Sequence, residues 1–180
     1  LNSLSRLMVP TATAQALNRV AGRTITQGSR KVAKEATVGD NRKKGLPVRL
    51  VRQRSRLKRA KPDRLVAAIR INRGNLPAIK LGAARLQLSR RKGEKRGRGS
   101  VLRIGPYIFK NAFIQQLANG RWQVMHRLGK SRYPIDVVKV PLETPLTQNF
   151  TAISKQLIDS DMPKELSSAL KNQLRIHLKR

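Results

Sequence analysis

The chain has 180 residues, which suits one domain, and its apolar fraction of 39% includes only 3% aromatic residues. We therefore expect a thin core of Leu, Ile, Val and Ala. Contacts with partner subunits would help to complete the burial of these residues. The formal net charge of +31 implies a polyanionic partner, and nucleic acid is the commonest one. The absence of Cys excludes disulfides and thiolate metal sites. No apolar run approaches the roughly 20 residues of a membrane span, so no membrane partner is expected.

The positive charge is concentrated in the middle of the chain. Residues 41–64 carry 11 basic side chains and one acidic side chain, and residues 85–103 carry eight and one. Residues 131–180 are closer to balance, with eight basic and five acidic side chains. This distribution predicts a folded body with two basic outgrowths rather than a uniformly basic protein.

The first 64 residues are predicted to be helical and basic. Small and apolar residues recur every three or four positions over residues 10–36, which predicts a helix with Pro10 in its first turn. Gly22 and Gly28 weaken such a helix, but they allow a neighbouring element to pack closely. Residues 47–59 predict a second, short helix dominated by Arg and Lys. The buried face of the first helix is predicted to contain Leu17, Ala21, Ile25, Gly28, Val32 and Ala36.

Residues 65–130 are predicted to form a β-rich body. Residues 65–72, 78–81, 85–89 and 100–104 have the β-branched and apolar composition of short strands. Between the last two, the Gly-rich and charged residues 90–99 cannot bury apolar surface, and they predict a basic loop that spans residues 89–99.

Residues 112–128 predict a β-hairpin, because Asn119-Gly120 is the preferred pair for a two-residue type I′ turn. In that register Leu117 lies opposite Trp122, Gln115 opposite Val124, and Phe113 opposite His126. An alternative is a short helix over residues 111–118 that ends at Gly120. The structural core is predicted to include Phe113, Leu117, Trp122 and Val124.

Residues 131–180 predict an extended connection followed by two helices. Residues 133–145 contain three prolines, and a first amphipathic helix follows with Leu146, Phe150, Ile153 and Leu157. A break near residues 160–163 precedes a last helix with Leu166, Leu170, Leu174 and Leu178 on one face. The predicted fold class is α+β, with a long N-terminal helix and C-terminal helices packed on an antiparallel sheet or small β-barrel. The whole chain, residues 1–180, is predicted to be a single domain.

The residue inventory argues against an enzyme, and no cofactor or metal site is expected. The chain has two histidines, His126 and His177, and a structural role is favoured for both. Asp159 and Asp161 are predicted to cap the last helix rather than to form an acid–base pair. Gly129-Lys130-Ser131 ends like a phosphate-binding loop, but the required upstream glycine position holds Val124.

Several stretches resemble the lambda-like minor tail protein Z family of phage tail completion proteins. The main ones are Ile71-Asn72-Arg73-Gly74-Asn75-Leu76-Pro77-Ala78-Ile79-Lys80-Leu81-Gly82, Phe113-Ile114-Gln115-Gln116-Leu117, Asn119-Gly120-Arg121-Trp122 followed by Val124-Met125, and Arg132-Tyr133-Pro134-Ile135-Asp136-Val137-Val138-Lys139. Three shorter stretches are also similar: Arg56-Leu57-Lys58-Arg59-Ala60, Pro163-Lys164-Glu165-Leu166 and Gln173-Leu174-Arg175. The resemblance runs from about residue 54 to the C-terminus. It implies a structural virion protein, assembled in the host cytoplasm, at the upper end of the tail. There it would support head–tail joining and positioning of the genome end, beside tail-terminator, tail-tube and neck proteins.

Two basic segments are candidate DNA contacts. We hypothesise that a homo-oligomeric ring, with six copies to match a tail tube, directs one segment at the phosphates of genomic double-stranded DNA without sequence specificity. The competing interpretation is docking on acidic surfaces of neighbouring tail proteins. The alternative function is a cellular basic nucleic-acid-binding protein of the ribosomal or nucleoid-associated type. The phosphate contacts are assigned to Arg90, Arg91, Lys92, Lys95, Arg96 and Arg98, and a secondary basic patch to Arg49, Arg52, Arg54, Arg56, Lys58 and Arg59.

Overall fold

The computed structural model describes residues 2–87, 101–129, 131 and 133–178, and it combines long helices with short antiparallel strands. The fold class is therefore α+β, as predicted. In chain order the elements are α1 (Asn2–Glu35), β1 (Thr37–Val38), β2 (Lys43–Lys44), α2 (Val48–Arg52), β3 (Ser55–Lys58), β4 (Ala68–Ile71), β5 (Leu76–Pro77), a 3-10 helix (Ala78–Leu81), β6 (Ala84–Gln87), β7 (Val101–Ile104), β8 (Tyr107–Lys110), β9 (Ala112–Gln116), β10 (Trp122–Arg127), β11 (Ile135–Val137), β12 (Lys139–Val140) and α3 (Glu143–Leu178).

The chain divides into two compact units. Unit 1 consists of Leu1–Val32, Val51–Arg73 and Pro145–Arg180, and unit 2 of Ala33–Leu50 and Gly74–Thr144. These boundaries differ from the predicted parts 1–64, 65–130 and 131–180. Each unit is therefore assembled from segments that are distant in sequence.

Helix α1 begins earlier than predicted, so Pro10 lies inside the helix rather than in its first turn. The hydroxyls of Thr11 and Thr13 donate hydrogen bonds of 2.8 Å to the carbonyls of Leu7 and Val9, which adds bonds around the proline turn. Small side chains dominate the buried face and allow close packing. The buried residues of α1 include Ala12, Ala14, Ala16, Val20, Ala21, Thr24, Ile25, Gly28, Ser29, Val32 and Ala33.

The predicted break near residues 160–163 is wrong, because α3 continues through Pro163. Asp161 and Glu165, on either side of this proline, both form ion pairs with Arg23 of α1, and these contacts hold the two turns in line. Asp159 and Asp161 therefore do not cap a separate helix. The predicted apolar face also ends early, since Leu174 is 53% exposed.

The predicted helix over residues 47–59 is also largely wrong. Only Val48–Arg52 is helical, and Ser55–Lys58 forms β3, which pairs antiparallel with β4. Arg and Lys favour helix in isolation, but tertiary pairing overrides such propensities. The two-stranded β3–β4 ribbon belongs to unit 1.

Unit 2 contains two three-stranded antiparallel sheets, in the orders β6-β7-β8 and β11-β10-β9. Two-stranded pairs β1-β2 and β5-β12 complete the unit. Residues 78–81, predicted as a strand, form the 3-10 helix instead. The buried core side chains of this unit include Val38, Leu46, Leu76, Leu102, Ile104, Tyr107, Phe109, Val124, Met125, Val140 and Leu142.

The predicted β9–β10 hairpin is present, but its register differs from the prediction by one residue. Trp122 lies opposite Gln116, Val124 opposite Ile114, and His126 opposite Ala112. The turn has three residues rather than two, and Gly120 adopts the left-handed conformation with φ 75°. The amide of Gly120 donates to the carbonyl of Leu117, which is the pattern of a type I turn followed by a glycine bulge. Asn-Gly suits this turn as well as the type I′ turn.

Candidate nucleic-acid interface

The primary predicted DNA contacts lie outside the described residues. This holds for all six residues of that set: Arg90, Arg91, Lys92, Lys95, Arg96 and Arg98. The strands that precede and follow this segment, β6 and β7, pair antiparallel, and Gln87 lies opposite Val101. In the sequence, the segment lies between these two strands.

The secondary basic patch was predicted to lie on one helix, but it is divided between α2, β3 and the residues next to them. Arg49 and Arg52 belong to α2, and Arg49 is assigned to unit 2. The other members of the patch belong to unit 1, where β3 carries two of them. The unit 1 members are Arg52, Arg54, Arg56, Lys58 and Arg59.

The β3–β4 ribbon has one cationic face. Arg56 and Lys58 alternate with half-buried residues along β3, so both project from the exposed side. On β4 the exposed residue is Arg70, and it lies directly opposite Arg56 in the register. Together these three residues define the ribbon face. The sequence prediction missed Arg70, although the alternation of Ile69, Arg70 and Ile71 indicates that it points away from the apolar side.

Like charges directly opposite each other destabilise a strand pair. Arg56 and Arg70 occupy such a pair, and within the described part of the chain no carboxylate forms an ion pair with either of them or with Lys58. The ribbon face therefore carries unneutralised positive charge at a fixed spacing.

Contacts with α1 hold the ribbon in place. Asn18 of α1 donates from its Nδ2 to the carbonyl of Ala60 at 2.9 Å, and its Oδ1 accepts from the amide of Ala60 at 2.8 Å. Ala60 is buried, so these two bonds satisfy backbone groups that have little access to water. On its apolar side the ribbon borders a groove of about 390 Å³, whose lining includes Val20 and Phe150 of the helices together with Ile69 and Ile71.

A tight turn extends the cationic surface beyond the ribbon. The amide of Lys61 donates to the carbonyl of Arg64 at 3.0 Å, and the reverse bond measures 2.9 Å. Pro62 and Asp63 form the two central positions, and Pro favours the first of them. Both cations of the turn are exposed, and they flank its single carboxylate.

Arg54, next to β3, is partly withdrawn from water. Its Nε donates to the carbonyl of Asn72 at 3.0 Å, and the amide of Asn72 donates to the carbonyl of Arg54 at 2.8 Å. Burial lowers the pKa of the Arg54 guanidinium from its usual range, because a less hydrated environment disfavours the charged form. An anion close to this end of the ribbon would offset that effect.

Two carboxylates of unit 1 are engaged by other cations. Arg23 of α1 contacts Asp161 at 2.7 Å, and Arg19 contacts Glu165 at 3.2 Å. The hydrogen bond from Arg23 lowers the pKa of Asp161, and a bond from Ser160 acts in the same direction. The same contact with Asp161 raises the pKa of Arg23, and the charge of Glu165 adds to the effect. These carboxylates hold α1 and α3 together.

The four predicted core residues differ in their burial. Val124 is buried, and Phe113 and Leu117 are half-buried. Trp122, in contrast, is 56% exposed, so the prediction that its ring belongs to the core is wrong. It lies at the first position of β10, beside the hairpin turn, where little protein surrounds it. The guanidinium of Arg127 lies 5.0 Å from the centre of the Phe113 ring, within the range of a cation–π interaction.

His126 lies in β10 and His177 in the last turn of α3. Among residues 2–87, 101–129, 131 and 133–178, no group of three His, Asp or Glu side chains could hold a metal ion. Within the same ranges, no helix is both long and apolar enough to cross a membrane.

Comparison with known proteins identifies the family. The family model described as prophage minor tail protein Z matches residues 1–180. The chain is 54% identical over 180 residues to the tail completion protein of Escherichia phage N15, and this covers 100% of the chain and 94% of that protein. It is 48% identical over 188 residues to tail completion protein Z of Escherichia phage lambda, with 100% and 94% covered. No solved structure matches. The chain therefore belongs to the prophage minor tail protein Z family, and it is a structural tail completion protein of a bacteriophage.

Proposed function

We propose that this protein completes the head-proximal end of the tail, where it supports head–tail joining and helps to position the genome end. The observation that carries the proposal is its net charge of +31, to which the unneutralised ribbon face contributes. A tail subunit of this charge suits a location beside DNA. The role is structural and not enzymatic, and membership in a phage tail family argues against the alternative of a cellular nucleic-acid-binding protein.

The proposed partners are further copies of this chain, the tail-terminator, tail-tube and neck proteins, and genomic double-stranded DNA. We expect a closed ring, with six copies to match the tail tube. Two exposed apolar side chains of the β9–β10 hairpin, Ile114 and Trp122, support a protein–protein contact there. In free solution the positive charge of each copy opposes association, so a monomer or weak oligomer is expected. Imaging of the neck that shows one copy, or an open arrangement, would contradict the ring.

Deletion of the gene from a prophage tests the function as a whole. Induced particles should contain tails of normal length that are not joined to heads, or joined particles whose genome end is misplaced. A plasmid copy of the gene should restore both properties. Infectious particles with a normally placed genome end, formed without the protein, would refute the proposal.

Charge reversal of residues 90–98 to Glu tests which partner this segment contacts. If it contacts DNA phosphates, the variant should still be incorporated into tails, while DNA in the upper tail is absent or displaced. If the variant is not incorporated, the segment docks on an acidic neighbour, and its assignment to DNA is wrong. Six copies around the duplex would suit holding a genome end better than conducting it, because a conduit should not grip moving DNA.

A further inference from the structure

We propose that the ribbon face of unit 1, formed by Arg56, Lys58 and Arg70, is a rigid binding surface for the phosphates of double-stranded DNA. This inference rests on the proposed function and adds a specific site to it. It includes a residue from outside the basic segments seen in the sequence.

The spacing of the three cations suits a dense polyanion. Arg56 and Lys58 are two residues apart on one strand, about 6.6 Å. Arg70 is directly opposite Arg56, at a Cα distance of about 4.5–5.5 Å. Duplex DNA carries one negative charge per about 1.7 Å of its axis, so several phosphates come within reach of these long side chains.

The like-charge pair itself indicates a bound anion. Arg56 and Arg70 repel each other in the free protein, and no acidic side chain in the described ranges pairs with them. A phosphate between the two guanidinium groups would convert this repulsion into two favourable contacts. The ribbon is preorganised for that contact, since Asn18 fixes its end through the two hydrogen bonds to Ala60.

Duplex DNA fits this surface better than two other polyanions. None of the three residues of the ribbon face is aromatic, whereas proteins that bind single strands stack bases on aromatic rings. An acidic protein surface is a weaker candidate, because all three residues of the ribbon face are charged, and charged residues are depleted at the core of protein–protein interfaces. Contacts from Arg and Lys to phosphates carry no base information, so we expect binding without sequence preference.

The test measures binding of the purified full-length protein to a short, fluorescently labelled duplex over a series of salt concentrations. In the R56Q/K58Q/R70Q variant, the slope of log affinity against log salt should decrease by about 0.9 for each phosphate that the protein no longer neutralises. The control variant R30Q/K31Q/K171Q removes the same charge from exposed positions of α1 and α3, and its slope should change much less. Equal changes in the two variants would overturn the proposal, because binding would then depend on overall charge.

A single charge reversal, R70E, distinguishes a loss of DNA binding from a folding defect. The new carboxylate would lie opposite Arg56 and should raise the unfolding midpoint, because an opposite-charge pair replaces a like-charge pair. DNA affinity should nevertheless fall below that of the wild type. If R70E or the triple variant binds the duplex as tightly as wild type yet is not incorporated into tails, the ribbon face docks on an acidic protein and the DNA assignment is wrong. Because this assay uses purified protein, its failure is distinguishable from the failure of the gene-deletion experiment.

Discussion

Two glycines of α1 provide a matched test of how this helix is packed. A Cβ at Gly22 would meet no atom within 4 Å, whereas a Cβ at Gly28 would lie 3.1 Å from three atoms of the Phe150 ring. Gly22→Ala should therefore stabilise the protein by about 0.5–1 kcal/mol, the usual gain in a helix interior. Gly28→Ala gains the same helix propensity, but the buried ring cannot move into solvent. Overpacking costs about 1–3 kcal/mol, so the net effect should be a loss of up to about 2 kcal/mol.

Urea-induced unfolding of the two variants, at one salt concentration, measures the difference. A double variant, G28A/F150L, supplies the control, since a smaller side chain at position 150 should relieve the contact and make the two substitutions non-additive. If Gly28→Ala is as stabilising as Gly22→Ala, the close approach of Phe150 to α1 does not exist and the packing argument is wrong.

Three further predictions concern other parts of the fold. Asn18→Ala should cost about 2–4 kcal/mol of unfolding free energy in denaturant titrations, because it leaves two buried backbone groups of Ala60 without partners. Trp122→Ala should cost less than about 1 kcal/mol in the same titrations, as for most surface substitutions, and a loss of several would show that the ring is packed. The ion pair lowers the pKa of Asp161, so the ionised carboxylate stabilises the folded protein at pH values above the ordinary pKa of 3.8. This stabilisation is lost as pH falls through the lowered pKa. Arg23→Gln should therefore flatten the acid limb of stability against pH, and an unchanged limb would exclude this ion pair as its cause.

Periodic features of the fold could be predicted from the sequence. The spacing of Val32 and Ile25 indicated the buried face of α1, and Asn119-Gly120 indicated the β9–β10 hairpin. The hairpin register could not be fixed, because Asn-Gly serves both a two-residue turn and a three-residue turn with a glycine bulge. A change of one residue moves every side chain to the other face. That change altered the predicted partners of Trp122.

Errors in the helices have a different origin. The predicted break near residues 160–163 rests on local sequence alone, and local rules do not include Arg23, which is distant in sequence and pairs on both sides of Pro163. Residues 55–58, within a basic segment, were predicted as helix for a similar reason, since their partner strand follows at residues 68–71. In both places a long-range contact decided the local structure.

The same limit applies to the candidate site, because counting charges does not distinguish the roles that cations have in this fold. Arg23 and Arg56 are both exposed arginines of unit 1, and although Arg56 lies in a basic segment, the sequence does not show which side chain either of them faces. Arg23 faces carboxylates of α3 and stabilises the folded protein, whereas Arg56 faces Arg70 and the repulsion between them destabilises it. A cation that destabilises the free protein can contribute to binding when an anion is present. The register of β3 and β4, rather than the number of positive charges, therefore identifies the residues that we assign to DNA.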